Sequence, residues 1–181
     1  MSRGLAGAVL LAAAASALAG CAARGPFLPP VVAERHASHV ELEATPFFPQ
    51  DRYQCGPAAL ATALAAAGAA VTPEALVPAI YLPGRRGSLQ PELLAATRQY
   101  DRIPYVLPGS TDALVATLAG GFPVLVLQKL GAGPLPGWHY AVVVGYDGPR
   151  DRVVLRSGTE RRKEMQAGDF FATWERAGRR P

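Results

Sequence analysis

The sequence predicts an α+β domain with its helices first and its strands after, and three observations carry that expectation. Residues 58–67, AALATALAAA, consist almost wholly of strong helix formers. Residues 91–100 and 110–119 repeat their apolar positions at helical spacing. Residues 122–128 and 137–147 are instead rich in Val and Tyr and bounded by glycines, which reads as buried strands. A further strand is expected over 151–158 (DRVVLRSG), after the turn signal of Asp147-Gly148-Pro149.

The elements follow in order from local signals. Pro46 to Pro49 mark a loop before the alanine-rich helix, and Gly68 is its natural stop. Thr72-Pro73-Glu74 gives the next helix a threonine N-cap and a proline in its first turn. Residues 81–88 (YLPGRRGS) and 131–137 (GAGPLPG) read as loops. The second leads directly into the strand that carries His139, so it is placed to form one lip of a cleft.

Ahead of the domain, MSRGLAGAVLLAAAASALAGCAA has a positive residue at Arg3, an uncharged apolar run from Gly4 to Ala19, and small residues before Cys21. That is a processing signal rather than fold material. It is also short for a membrane-spanning helix, which needs about 20 apolar residues. Leu18-Ala19-Gly20-Cys21 resembles the lipobox of bacterial lipoproteins, whose cysteine is acylated and becomes the new N-terminus. The resemblance implies residues 1–20 as signal peptide and lipid anchorage in the bacterial cell envelope, facing the periplasm or exterior. Residues 21–39 are then a tether, 40–176 the domain and 177–181 a tail. An ordinary secretory signal, or an uncleaved anchor with an incidental Cys21, is the alternative.

A net charge of +4 is too mild to argue for nucleic acid. No phosphate loop and no zinc-like Cys/His spacing occurs in the sequence, so no cofactor and no metal is expected. His36 and His39 stand in a polar segment with no third ligand near. The basic residues Arg161, Arg162, Lys163, Arg176, Arg179 and Arg180 read as a solvated face or tail, with weak attraction to anionic lipid as the sharper alternative.

With Cys21 acylated, Cys55 is the only free thiol of the mature chain, so a disulfide within the chain is excluded. Cys55-Gly56-Pro57 opens the alanine-rich helix, where unsatisfied backbone N–H groups favour a thiolate and can also hold an oxyanion. A titration point below the ordinary thiol range is therefore expected for Cys55. Gly56 is expected to let a substrate carbonyl approach the backbone. A thiolate nucleophile needs a base, and His139 at the start of its strand supplies one. A core histidine bonded to backbone is the alternative for that position.

Gln50 and Gln54-Cys55-Gly56-Pro57-Ala58-Ala59-Leu60, then Gly121-Phe122-Pro123-Val124-Leu125-Val126, then Trp138-His139-Tyr140 through Asp147, together resemble the C39 family of cysteine peptidases. The resemblance runs from about Val40 to Trp174. It implies a papain-like fold, with a nucleophile helix and helical half packed on a C-terminal antiparallel sheet that carries the histidine strand. It also implies hydrolysis of a peptide or protein substrate. By the family's pattern, Cys55 matches the nucleophile and His139 the general base and acid. Gln50 matches the oxyanion glutamine, although it stands five residues before the cysteine where papain-like enzymes place it six before. Gln54 is the fallback. The family's Asp or Asn on the following strand is missing, and Ser157 or Arg156 falls in its place. A serine accepts from the ring N–H but stabilises an imidazolium less than a carboxylate does. A catalytically silent domain that binds peptides or a partner protein is the alternative implied by that loss. A cell-wall amidase of the thiol type is a third reading, but that group shows Asp-Cys-Ser-Gly where this chain has Gln-Cys-Gly-Pro.

Overall fold

A computed structural model describes residues 39–50, 54–131 and 137–179. Among these described residues, five α-helices and five strands follow in the order β1 (His39–Glu41), α1 (Cys55–Ala66), α2 (Pro73–Ile80), α3 (Gln90–Gln99), α4 (Thr111–Ala119), β2 (Val124–Leu130), β3 (Gly137–Asp147), β4 (Arg152–Ser157), β5 (Glu160–Gln166) and α5 (Ala167–Arg176). The chain thus has the expected mixed class, with helices packed on an antiparallel sheet.

Local chemistry sets the helix starts. The Thr72 hydroxyl accepts from the Ala75 N–H at 3.4 Å and the Ser110 hydroxyl from the Ala113 N–H at 3.2 Å, each satisfying one orphan donor of a first turn. Pro73 and Pro91 stand in the first turns of α2 and α3, where a missing N–H costs nothing. α1 begins at Cys55 itself, with Gln54 as its N-cap and no side-chain cap bond. The loop after α2 is tighter than a simple connection. A short 3₁₀ turn over Pro83–Arg85 is closed by the bridge of Leu82 with Gly87.

β3 is the hub of the sheet. Its first half pairs with β2, from Gly137↔Leu130 to Val143↔Val124, and its last three residues pair with β1 along the same edge. β4 takes the other edge, but only from Asp147↔Arg152 to Val142↔Arg156. The main chain of β3 before Val142 therefore has no β4 partner on that side. A bulge lies between Val143 and Gly145. Gly145 is required there, because a Cβ would stand 2.5 Å from the Val40 carbonyl oxygen of β1.

Each face of the sheet buries its own core. α4 and α5 cover one, packing Leu114, Leu118, Phe170, Phe171 and Trp174 on Val126, Val143 and Leu155. α1 to α3 cover the other, packing Leu60, Leu64, Leu76, Ile80 and Leu93 on Tyr140, Val142, Val144 and Val154. Burying a side chain of this size contributes about 1.5–3 kcal/mol, so the two layers fix the sheet between them.

β1, β5 and α5 carry no signal that the sequence reading used. The basic run Arg161-Arg162-Lys163 lies in β5, an edge strand, rather than in a tail. Arg162 donates to both carboxylate oxygens of Glu41 at 2.8 Å and also pairs with Glu164. Lys163 meets Glu160 at 3.1 Å. The chain stays packed through Ala177, which is buried, to Arg179, which donates to the Gly109 carbonyl at 3.0 Å. No helix among the described residues is long and apolar enough to cross a membrane.

Candidate active site

α1 delivers the thiol. Cys55 is free, half-buried and packed beside the α1-side core. Its helix leans on β3, so the N-terminal turn meets the part of that strand which β4 leaves open. There the Tyr140 backbone N–H reaches the Cys55 sulfur, and the nearby N–H groups of Gly56 and Cys55 also favour its charged form.

The other main-chain group of Tyr140 is used as well. The Gln50 side-chain amide donates to the Tyr140 carbonyl at 3.4 Å, while the Gln50 backbone N–H donates to the Gly158 carbonyl at 3.0 Å. Gln50 thus bridges β3 and the end of β4 across the open stretch. The main chain of a single residue of β3 meets both the expected nucleophile and the expected oxyanion glutamine.

His139 precedes Tyr140, and alternation along the strand turns its side chain to the opposite face. Its Nε2 lies 2.8 Å from the Ser157 hydroxyl, which is 4 % exposed at the end of β4. Ser157, not Arg156, therefore occupies the position beside the imidazole. Arg156 points to the other face, where it donates to the carbonyls of Glu43, Thr45 and Arg161 and ties the chain before Gln50 to β5. With Nε2 engaged by Ser157, Nδ1 is the ring nitrogen left for proton transfer.

The electrostatics overturn one expectation. Burial pushes the Cys55 thiol up from its ordinary range, and the backbone donors of Tyr140, Gly56 and Cys55 offset that only in part. The helix N-terminus alone does not win, because the sulfur is out of water. His139 moves the other way. Burial lowers its titration point, and the positive charge of Lys163 lowers it further. Both groups are thus biased to neutral forms.

Gly56 also differs from expectation. The space beside its Cα is not open to a substrate carbonyl. A Cβ there would stand 2.4 Å from the Ser88 hydroxyl and 2.6 Å from the Ser88 Cβ. Gly56 is needed so that the 81–88 loop can close against the start of α1. The Ser88 hydroxyl is buried with no hydrogen-bond partner among the described residues.

The Peptidase_C39-like family matches residues 41–181 of this chain. The chain belongs to that family. No curated protein matches it. The C39-like domain is also similar to the crystal structure of a provisionally assigned C39-like peptidase from Bacillus anthracis, at 20% identity and a TM-score of 0.61. That likeness covers 78% of this chain and 94% of the other, and it bears on fold alone.

In the C39-like domain, Gln54 serves as the N-cap of α1 and makes no side-chain cap bond. Asp147 holds its own turn, accepting from the Arg150 N–H at 3.1 Å and pairing with Arg150 and His39. His36 and Cys21 lie outside the described residues. Sequence reasoning missed Tyr140 and Ser88. Tyr140 acts through its main chain, which no side-chain pattern reveals. Ser88 acts through shape, and its only sequence signal is the neighbouring glycine at 56.

Proposed function

We propose that the chain is a cysteine peptidase that hydrolyses peptide bonds with Cys55 and His139, tethered to the bacterial envelope through an acylated Cys21. The observation that carries the reading is the main chain of Tyr140, whose N–H meets Cys55 and whose C=O meets Gln50, one residue from the imidazole that Ser157 holds. Membership of a peptidase family supports the reaction class.

In this reading the neutral Cys55 thiol gives its proton to His139 Nδ1 as the sulfur attacks a peptide carbonyl. Burial disfavours a standing thiolate–imidazolium pair, so proton transfer and attack go together. The oxyanion that forms is held by the Cys55 backbone N–H and the Gln50 amide. His139 then delivers the proton to the leaving amine, and the C–N bond breaks to leave a thioester. Water, deprotonated by His139, hydrolyses that thioester and returns the thiol. Ser157 accepts from Nε2–H throughout and keeps the ring in one tautomer.

The test is cleavage of a diverse peptide library by the chain from Ala22 onward, set against Cys55→Ala, with intact mass read for an acyl adduct on Cys55. Cleavage that requires Cys55 supports the reading. No cleavage and no adduct would overturn it in favour of a silent peptide- or partner-binding domain. The tether is tested separately, by the intact mass of the membrane-extracted protein and of its Cys21→Ala form.

A further inference from the structure

Away from the site, four large apolar side chains stand in water around one groove. Ile103 is 93% exposed, Tyr105 78%, Phe122 67% and Val106 51%. They rim a depression of about 640 Å³ floored by Leu60, Leu64, Leu93 and Leu125. Soluble domains rarely leave so contiguous an apolar surface without a partner for it.

We propose that this rim is a membrane-contacting face, seated in the headgroup and upper acyl region of the bilayer to which Cys21 tethers the chain. Three features fit a lipid surface. Among the described residues lining the groove, Arg102 alone is charged. Its guanidinium donates to the carbonyls of Ala67 and Asp101, and it forms no ion pair among the described residues, so its charge is left for an anionic headgroup. Aliphatic and aromatic side chains projecting beside a cation are the composition of an interfacial anchor.

The tether also ends in the right place. β1 and β2 lie end to end along one edge of β3, with Glu41 opposite Gly145 and Val124 opposite Val143. Phe122 therefore stands near the Glu41 end of β1, a strand only three residues long whose His39 end the tether feeds. About 18 residues separate Cys21 from His39, a reach of at most ~60 Å, so an acylated Cys21 and the groove can occupy one bilayer surface together.

Orientation follows from α1. The groove is lined by the second half of that helix, from Leu60 to Ala67, whereas Cys55 opens it. At about 1.5 Å per residue the two ends are ~18 Å apart. Docking on the groove therefore leaves Cys55, which does not line it, outside the contact.

The location of the bilayer rests on the Cys21 tether proposed above, so the experiment removes the lipid and lets the two ideas fail separately. The chain from Ala22 onward, which keeps every described residue, is sedimented with vesicles of phosphatidylethanolamine and phosphatidylglycerol. Wild type and Cys55→Ala should partition equally. Ile103→Asp and Tyr105→Ser should each bind at least tenfold more weakly, while Ile103→Leu keeps its binding. Cys55 alkylation at an unchanged rate shows that the variants are folded. Absence of vesicle binding, or equal binding by the Asp and Ser variants, would overturn the proposal. So would a concentration-dependent dimer in vesicle-free solution that Ile103→Asp dissolves, because the face would then belong to a second copy.

Discussion

His139 Nε2 and the Ser157 hydroxyl stand 2.8 Å apart on neighbouring strands, just beyond the point where those strands stop pairing. A neutral oxygen holds the ring where relatives use a carboxylate or an amide. The ring is oriented, but a charge on it is poorly compensated. Ser157→Ala should lower kcat/KM less than tenfold. Ser157→Asp should raise it by about tenfold, since an anion beside imidazolium is worth far more than a dipole. The acid limb of the pH–rate profile should move to higher pH in the Asp variant. Loss of activity in Ser157→Ala as complete as in His139→Ala would show that the hydroxyl does more than orient.

Alkylation of the folded thiol should lag behind a free model thiol at neutral pH and catch up only at higher pH, because burial pushes Cys55 up. Iodoacetamide rates from pH 6 to 10 read this directly. Denaturant should accelerate the neutral-pH rate. A profile that rises earlier than the model thiol would contradict the burial argument.

Stability should fall toward acid on account of His139. Its folded titration point lies below the ordinary value, so the unfolded chain binds the proton more readily. The penalty begins as pH drops through the ordinary histidine range near ~6.5 and grows until the folded form titrates as well. His139→Gln should flatten that part of a Tm-versus-pH curve. Cys55 has the opposite sense: its raised value removes stability as pH climbs past ~8.5, and Cys55→Ala should flatten that limb.

Gly56→Ala should cost about 1–3 kcal/mol, because its methyl group would collide with Ser88 at 2.4 Å. Ser88→Gly should recover most of that loss in the double variant and little on its own. Urea titration of the four proteins closes the cycle. Additive losses would mean that the two residues do not meet.

Gln50→Ala should lower the rate by about 10²–10³, with little change in Tm since its anchoring backbone N–H to Gly158 remains. Single-turnover acylation with a peptide ester separates this from substrate binding.

Much of the fold was legible because the signals were local. Thr72 announces its helix as a cap, and the alanines of 58–66 leave few alternatives. Boundaries moved by a residue or three, as where the strand expected at 122–128 runs over Val124–Leu130. β5 was missed because an exposed edge strand such as ERRKEMQ owes its form to pairing with β4 rather than to its own composition. In the site, Cys55 and His139 were singled out by residue type and position, and Gln50 and Ser157 by the resemblance to the C39 family. The thiol's electrostatics were not, because desolvation depends on what folds over the sulfur. Tyr140's part was illegible for a different reason, since any residue supplies the same N–H and C=O.

The Tyr140 main chain links residues far apart in the chain, its partner Gln50 lying 90 positions away. Until β3 docks on α1, Cys55 is a thiol in water, ionising in the ordinary range and open to oxidants in solution. Contacts of such long sequence separation close late, after the local helices have formed. The same burial that raises the thiol's titration point thus acts as a chemical clock on folding. In a refolding experiment the alkylation rate should drop in one late step, and its timing would report when the site comes together.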